Sequence, residues 1–408
     1  MAKSIALIGT FDTKGKEFLF VKELIESLGL NVFTIHSGVF EPQFTPNVSN
    51  EEVALAAGEN MAKIAEQKDR AYATEVLAKG MEILLPKLYA EEKFDGVLSF
   101  GGTGGTSIAT PGMRALPIGV PKVMVSTVAS GNVQPYVGTS DIVMMPSIVD
   151  VAGLNRISTK IFKNAVFAIS GMLQNEREIE LEPKPLIAAT MFGLTTPCIN
   201  YAKEYLEKRG YEVLIFHATG VGGKTMERLI ENGFFEGVLD LTTTEWADET
   251  VGGILAAGPH RLEAAAKHGT PQVISVGAMD MVNFGPKETV PEKFSGRNFY
   301  LHNPTVTLMR TTVEENKKIA ENMAERINYA NGSTAIMFPL KGFSGLDLEG
   351  QQFYGPKENQ MLMDTLKEKI DSQKVEFIEE NYHINDKEFA ESAAEKLLQL
   401  IENKKGDI

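Results

Sequence analysis

Four glycines in five consecutive positions mark the part of this sequence best suited to binding a ligand. Residues 101–107 have the sequence Gly-Gly-Thr-Gly-Gly-Thr-Ser, and they directly follow an apolar run. Glycines let the backbone approach a ligand closely, so that its N–H groups and the nearby hydroxyls can donate to a phosphate or carboxylate. A helix beginning here would further favour an anion. The candidates are Gly101, Gly102, Thr103, Gly104, Gly105 and Thr106. The alternative is an ordinary tight turn, and the spacing G-x-G-x-x-G fails at Ser107.

Small and polar residues also follow the other predicted strands of the first half. They are Gly9, Thr10, Asp12, Thr13 and Lys14, then Ser126, Thr127, Ser130 and Gly131, and then Gly138, Thr139 and Asp141. Ligands of open parallel sheets bind beyond the carboxyl ends of the strands, so we assign these residues to a nucleotide site. Asp12 can hold Mg²⁺ there and Lys14 can meet a phosphate, although Asp12 serves equally well as a helix N-cap.

The second half contains a loop with nearly the spacing of a phosphate-binding P-loop. Residues 218–225 match G-x-x-x-x-G-K-S/T, except that Ala218 replaces the first glycine. A partner carboxylate for Mg²⁺ does not stand out, because Asp240 is followed by threonines, and we therefore favour a looser anion-binding loop. The substrate- or anion-binding candidates are Thr219, Gly220, Gly222, Gly223, Lys224, Thr242, Thr243, Thr244 and Arg310. Arg310 can instead pair with Glu314 or Glu315.

Three residues of the second half are candidates for catalysis. His217 and His302 have side chains that can transfer protons or bind metals, and Glu245 follows a predicted strand. Each has a structural alternative, because a lone histidine often serves the fold and Glu245 forms a capping-box pattern with Thr242. No residue set identifies a metal site.

The pattern of apolar residues predicts the elements that would position these groups. Short apolar runs bounded by Gly, Thr and Asp alternate with helical patterns of roughly 10–15 residues, which is typical of βαβ units and a parallel sheet. The first unit comprises a strand at 5–8, a helix ending near Gly29 and a strand at 32–35. The prediction is an α/β fold with two Rossmann-like, doubly wound subdomains.

The same pattern occurs twice, which indicates an internal duplication. The strand starts Ile5 and Val32 recur at Leu186 and Val213, both with an offset of 181 (186 − 5 and 213 − 32). The first half carries an insertion at 36–89, which includes a helical stretch at 50–85. Two prolines at 182–185 predict the domain boundary, giving domains 1–182 and 185–408.

Composition excludes several classes of protein. Forty Lys and Arg against 54 Asp and Glu give a formal charge of −14, which disfavours nucleic acid or an anionic membrane as the main partner. The single cysteine, Cys198, rules out an intrachain disulfide and fits a reducing compartment. No signal peptide and no apolar run near 20 residues is present, so we expect a cytoplasmic protein.

Several of these motifs resemble those of the Tm-1-like ATP-binding family, also called UPF0261. The resemblance extends over nearly the whole chain and includes residues 8–14, 101–107, 116–122, 126–131, 138–141, 240–245, 281–286 and 302–304. It implies two Rossmann-like subdomains and ATP binding, but no established reaction. The family is named after the inhibitory N-terminal domain of a tomato protein that also has a TIM-barrel region. Because this chain lacks that region, a separate TIM-barrel protein is an expected partner.

Two kinds of function are compatible with this sequence. The favoured one is an enzyme that uses ATP, with Mg²⁺ as an expected companion, on a small acidic molecule in a cleft between the halves. The alternative is a nucleotide-responsive regulatory or inhibitory module without catalysis. A second reactive set facing the nucleotide site, with His217, Glu245 and His302, would favour the enzyme. In either case we expect a homo-oligomer.

Overall fold

A computed structural model describes residues 2–175 and 183–406 of the chain. The chain forms two compact units, Met1–Glu180 and Leu181–Ile408. Glu182 of the predicted domain boundary lies outside the described residues. Within the described ranges, no helix is long and apolar enough to cross a membrane.

The first unit is built on one five-stranded parallel sheet. Its strands are β1 (Ser4–Gly9), β2 (Asn31–His36), β3 (Gly96–Gly101), β4 (Lys122–Ser126) and β5 (Val143–Pro146). They lie in the order β2-β1-β3-β4-β5. The run 5–8 in β1 is fully buried, because helices cover both faces of a parallel sheet and leave no side for polar residues.

Helices cover both faces of this sheet. They are α1 (Gly15–Ser27), α2 (Asn50–Ala56), α3 (Met61–Gln67), α4 (Arg70–Ala90), α5 (Thr103–Ala115), α6 (Gln134–Val137) and α7 (Ser158–Gln174). One core joins α2, α4 and α5 to the sheet, and a second core joins α1 and α7 to it. The predicted helical stretch at 50–85 is instead three helices, because Asn60 and Asp69 each cap a new helix with their side chains.

The second unit has a six-stranded parallel sheet and a small antiparallel one. The parallel strands are β6 (Leu186–Met191), β7 (Glu212–His217), β8 (Gly237–Thr242), β9 (Gln272–Gly277), β13 (Thr334–Pro339) and β14 (Val375–Glu380). The antiparallel strands are β10 (Met281–Phe284), β11 (Phe299–Asn303) and β12 (Val306–Arg310), with β12 in the middle. The helices are α8 (Thr196–Glu207), α9 (Val221–Glu231), α10 (Glu245–Val251), α11 (Glu263–His268), α12 (Val313–Ile327), α13 (Pro356–Lys369) and α14 (Lys387–Gly406).

The two parallel sheets follow the same course. The order β7-β6-β8-β9-β13 in the second unit repeats the order β2-β1-β3-β4-β5 of the first, and β14 adds a sixth strand beside β13. The predicted fold class is confirmed, and the shared strand order is what a duplication would produce. In each sheet the strand order reverses at its first strand, between β1 and β3 and between β6 and β8. The loops that leave such a pair of strands diverge and form a crevice at the carboxyl edge, where doubly wound folds bind ligands.

Candidate functional site

A cavity of about 750 Å³ lies at this reversal point in the first unit. We call it the N-terminal cavity. It is lined by Thr10, Asp12, Thr13, Lys14, residues 37–40, Ile64, Ala65, residues 68–70, Ala73, Thr74, Leu77, residues 102–105, Ile108 and Asp150. Loops after β1, β2, β3 and β5 contribute to it, together with α3, α4 and the first turns of α5. Its volume is within the usual range for small-molecule and cofactor sites.

Three of the four glycines at the start of α5 are not required by the turn itself. None of Gly101, Gly102, Gly104 and Gly105 has a positive φ. A Cβ on Gly102 or Gly105 would have its nearest neighbour at 3.8 Å, and one on Gly104 would lie 3.5 Å from an Arg70 guanidinium nitrogen, which are ordinary contacts. The tight-turn alternative is therefore wrong for these three positions. Their missing side chains leave the backbone open towards the cavity.

The start of α5 presents backbone donors to this open space. The helix begins at Thr103, and the N-cap Gly102 supplies no side-chain cap. The N–H groups of a first helical turn have no partner within the helix, and the helix dipole makes this end attractive to an anion. Behind the loop, the Thr106 hydroxyl bonds to the Ser126 hydroxyl (2.6 Å) and donates to the Gly102 carbonyl (2.9 Å). Thr106 and Ser126 thus support the loop from behind, and neither lines the cavity.

Asp12 and Lys14 lie in the loop after β1, which forms another part of the cavity wall. The Asp12 carboxylate accepts hydrogen bonds from the backbone N–H groups of Thr13 (2.7 Å) and Phe40 (3.1 Å). The Lys14 ammonium donates to the Val151 carbonyl. Because α1 begins at Gly15 with Lys14 as its N-cap and without a side-chain cap, the N-cap alternative for Asp12 is wrong. The magnesium role of Asp12 stays a prediction.

The sequence patterns missed the cavity residues of the insertion. Arg70 lies beside Gly104 at the start of α4, and Lys68 precedes it in a left-handed conformation. Phe40 and Asp150 also line the cavity. These residues belong to no motif, and their proximity depends on long-range contacts. For Phe40, Lys68 and Arg70 the available signal was the insertion itself, which one half has and the other lacks, whereas Asp150 lies in the loop after β5 and had no such signal.

Some predicted nucleotide-binding residues of the first unit do not line the cavity. Gly9 serves packing, because a Cβ there would lie 1.8 Å from the Phe18 ring. The Thr127 N–H donates to the Gly101 carbonyl (3.3 Å), while Ser130 and Gly131 are exposed on the loop after β4.

Gly138, Thr139 and Asp141 need a correction, because they lie near the amino edge of the sheet. The chain has returned to that edge before β5, and Asp141 bonds to the buried ammonium of Lys122 (2.6 Å), the first residue of β4. Burial would raise the pKa of Asp141, but hydrogen bonds from Lys122 and the Gly119 N–H outweigh it and lower the pKa. Gly138 lies against Arg114 in the last turn of α5, about 16 Å along the helix from its start.

Glu245 of the second unit has a different role from the predicted catalytic one. It is buried, and its Oε1 accepts from the N–H groups of Gly220 (2.7 Å) and Gly223 (3.1 Å) at the start of α9. The chain's own carboxylate thus occupies the donors of the P-loop-like loop, so Gly220 and Gly223 are not free to bind another anion. Gly222 is needed for packing, because a Cβ there would lie 1.8 Å from the His217 carbonyl oxygen. Lys224 is exposed.

A buried ionic cluster fixes Glu245 from its other side. Arg261 donates to Glu245 (2.7 Å), to Glu227 (2.9 Å) and through two nitrogens to Asp240 (2.5 and 2.8 Å). Burial raises the pKa of Glu245, and Arg261 opposes that rise. The capping-box alternative is also wrong, since α10 begins after Thr244 and has no side-chain cap. Arg261, which the sequence patterns missed, is the cation of this cluster.

The remaining candidates of the second unit are dispersed. His217 is exposed at the end of β7, and His302 is exposed on β11 of the separate antiparallel sheet. Within 183–406, no hydrogen bond or ion pair links either of them to Glu245. Thr219 bonds to the His217 carbonyl (3.3 Å).

The three threonines at the end of β8, Thr242 in the strand and Thr243 and Thr244 after it, are fully buried rather than exposed to a ligand. The hydroxyl of Thr242 bonds to that of Thr195 (2.8 Å), and the hydroxyl of Thr243 bonds to the Ser275 carbonyl (2.7 Å). The Thr244 hydroxyl is buried without a partner among the described residues. These contacts give Thr242 and Thr243 internal roles.

Arg310 likewise has an internal role. It bonds to Asn359 (2.9 Å) and lies 3.6 Å from the buried Asp347 carboxylate. Glu315 pairs with Arg297 instead, so the predicted pairing of Arg310 with Glu314 or Glu315 is wrong. An exogenous anion would have to displace these contacts.

Comparison with known proteins gives strong matches over both units. The N-terminal domain of the uncharacterised protein family UPF0261 matches residues 3–178, and the C-terminal domain of that family matches residues 184–401. A UPF0261 protein of Clostridium tetani is 53% identical over 403 residues, which cover 98% of this chain and 100% of the relative. The ToMV resistance protein Tm-1(GCR237) of Solanum lycopersicum is 41% identical, and the match covers 96% of this chain but 55% of the tomato protein.

Structural similarity to solved proteins is weak. The UDP-N-acetylglucosamine 2-epimerase from Rickettsia bellii aligns over 99% of this chain and 96% of its own, with 10% identity and a TM-score of 0.23. A likeness at this level indicates nothing about activity. The sequence matches, by contrast, extend over both units, and the chain belongs to the UPF0261 family.

Proposed function

We propose that the first unit binds the phosphate groups of a nucleotide such as ATP in the N-terminal cavity. The observation that carries the proposal is the open backbone at Gly102, Gly104 and Gly105, which neither the turn nor the packing requires. A ligand that approaches the backbone closely explains why a side chain is absent at three positions. The resemblance to an ATP-binding family supports ATP as the nucleotide.

The charges around the cavity fit this ligand. The first turn of α5 offers backbone donors, and Arg70 lies beside Gly104, where a guanidinium can pair with phosphate oxygens. Lys14 adds a second cation, which at present donates to a backbone carbonyl and can turn to a phosphate. Ile64, Leu77 and Ile108 provide apolar walls for the rest of the molecule. The cavity therefore suits a ligand with an anionic end and a less polar body.

Two carboxylates in the cavity fit the Mg²⁺ ion that accompanies nucleotide phosphates. Asp12 and Asp150 both line it, and Mg²⁺ is commonly held by one or two carboxylates together with phosphates and water. Each oxygen of Asp12 accepts one backbone N–H and keeps a further lone pair for an ion. Bound Mg²⁺ would supply charge neutralisation for the phosphates, and the two carboxylates would orient it.

The nucleotide as an effector is the second candidate function, and the position of Glu245 favours it. The enzyme hypothesis relied on a reactive set with His217, Glu245 and His302. Because Glu245 is buried and bound to Arg261 and two backbone N–H groups, it is not available to a substrate. A regulatory module needs one nucleotide site and no such set.

Calorimetric titration with MgATP tests the proposed site. We expect binding by the wild-type protein and its loss in Gly104→Val, because the branched side chain fills the space above the first turn of α5. Gly171→Val, in α7 and with open space around its Cβ, is the matched control and should bind normally. Lys224→Ala should also retain binding. Normal affinity in Gly104→Val would place the site elsewhere, and loss in Lys224→Ala alone would restore the P-loop hypothesis.

A further inference from the structure

Phe40 is a large aromatic side chain that the fold leaves exposed at the N-terminal cavity. It lies in the loop after β2, and 67% of its surface is accessible. Phe40 lines the N-terminal cavity and also an adjoining cavity of about 510 Å³, together with Val39 and Ala65. A single exposed apolar residue is ordinary on a protein surface, so its meaning depends on how it is held.

The backbone of Phe40 is fixed at both of its polar groups. Its N–H donates to the Asp12 carboxylate (3.1 Å), and its carbonyl accepts from Nε2 of His36 (2.9 Å). His36 is fully buried, and its Nδ1 accepts from the Phe11 N–H (3.1 Å), which ties this loop to the one after β1. The exposure of the ring therefore does not come from a loose loop. The site holds the ring in place without burying it.

The neighbouring aromatic rings are already paired with one another. Phe11 stacks on Phe44 with centroids 4.5 Å apart and on His36 at 5.4 Å. Among the residues that the structure describes, no ring stacks on Phe40. A flat apolar surface held beside a phosphate-binding site suits the base of a nucleotide, since every base offers a π-face.

We propose that Phe40 stacks on the base of the nucleotide and so makes the site selective for nucleotides over inorganic polyphosphates. This inference rests on the proposed function, because it takes the phosphates to lie at the start of α5. The two contacts act on opposite ends of one ligand. The glycine loop holds the anion, and Phe40 recognises that an aromatic base is attached to it.

Calorimetry with two probes, ATP and inorganic triphosphate, separates these contacts. Phe40→Ala should weaken ATP binding about 5- to 140-fold, the range found when base-stacking aromatics are replaced by alanine, and should leave triphosphate binding unchanged. Phe167→Ala, which removes another exposed ring from α7, should change neither. Phe40→Trp should keep ATP affinity, and its fluorescence should be quenched by ATP but not by triphosphate, since the natural Trp246 is buried.

The outcomes distinguish the two proposals. If Phe40→Ala bound ATP with unchanged affinity while Gly104→Val still failed to bind it, the stacking proposal would be overturned and the proposed function would stand. Equal loss of affinity for ATP and for triphosphate in Phe40→Ala would also overturn the stacking proposal, because Phe40 would then only maintain the shape of the loop. Failure of the wild-type protein to bind either probe would overturn the proposed function itself.

Discussion

Replacing Gly104 by alanine should make the protein more stable and a poorer nucleotide binder. Gly104 is the second residue of α5, and alanine favours a helix over glycine by up to about 1 kcal/mol. Its new Cβ would lie 3.5 Å from a flexible Arg70 nitrogen, which is an ordinary contact, so no packing penalty offsets the gain. We expect about 0.4–1 kcal/mol of added stability, most of it from the reduced freedom of the unfolded chain.

The same methyl group would stand in the space that the proposed phosphate occupies. Thermal unfolding of the ligand-free protein should shift upwards by about 1–4 °C for the first unit, whose size gives about 2–4 °C per kcal/mol. Calorimetric affinity for MgATP should fall at least about tenfold, which corresponds to about 1.4 kcal/mol. A higher Tm together with a lower affinity for MgATP would show that glycine at this position serves ligand binding at a cost in stability.

Gly171→Ala is the matched control for this experiment. Gly171 lies within α7, and nothing lies within 4 Å of its Cβ position, so the helix gains the same propensity far from the glycine loop. Its Tm should rise while its affinity for MgATP stays normal. Unchanged affinity in Gly104→Ala would refute a close approach of the ligand at this residue. A loss of stability in Gly104→Ala would refute the packing argument.

Three further changes test other parts of the structure. Arg261→Met should lower the free energy of unfolding by about 3–5 kcal/mol in urea, because it leaves the buried carboxylates of Asp240 and Glu245 and the half-buried one of Glu227 without their cation. His217→Ala and His302→Ala should change it by less than about 0.5 kcal/mol. Burial and the Asp347 carboxylate raise the pKa of Asp280 to about 7. The folded protein then keeps a proton that the unfolded chain loses near pH 4, so stability should fall by up to about 4 kcal/mol as the pH rises from about 4 to 7. Asp280→Asn should reduce this loss of stability. The assignment would be contradicted if urea unfolding at pH 5 and pH 7 gave the same difference in unfolding free energy for Asp280→Asn as for the wild-type protein. Asp150→Asn should weaken binding of MgATP more than that of ATP in EDTA, and equal weakening would argue against a magnesium ligand.

The sequence allowed the fold to be predicted because its local signals agree with the tertiary structure. A parallel strand covered on both faces must be apolar throughout, so residues 5–8 and 186–189 stand out as continuous runs. The recurrence of these runs at a fixed offset then predicted two related halves. The glycine loop was equally visible, because an unusual density of one residue type needs no knowledge of distant partners.

Residues whose roles depend on distant partners were predicted poorly. Asp141 was grouped with the residues at strand ends, but it follows α6 and precedes β5, so the chain has already returned to the amino edge. Its partner Lys122 is 19 residues away. Glu245 looked reactive because neither Gly220 nor Arg261 is near it in the sequence. Arg70 and Phe40 both reach the cavity from the insertion. A strand end predicts that a residue lies at the carboxyl edge, but only the packing decides whether its side chain is free.

The two units differ at the loops after β3 and β8, which the shared strand order makes equivalent. After β3 the chain has Gly102, Gly104 and Gly105 next to an open cavity, while after β8 it has threonines and Glu245, all buried. In the second unit the chain supplies its own carboxylate to a helix N-terminus, and Arg261 neutralises part of the charge. That helix, α9, follows β7, the counterpart of β2, so it is not the equivalent of α5, where we propose that the phosphates bind. Under the proposed function, the first unit binds a ligand beside its reversal point, while the second unit fills the corresponding edge with a buried ionic cluster.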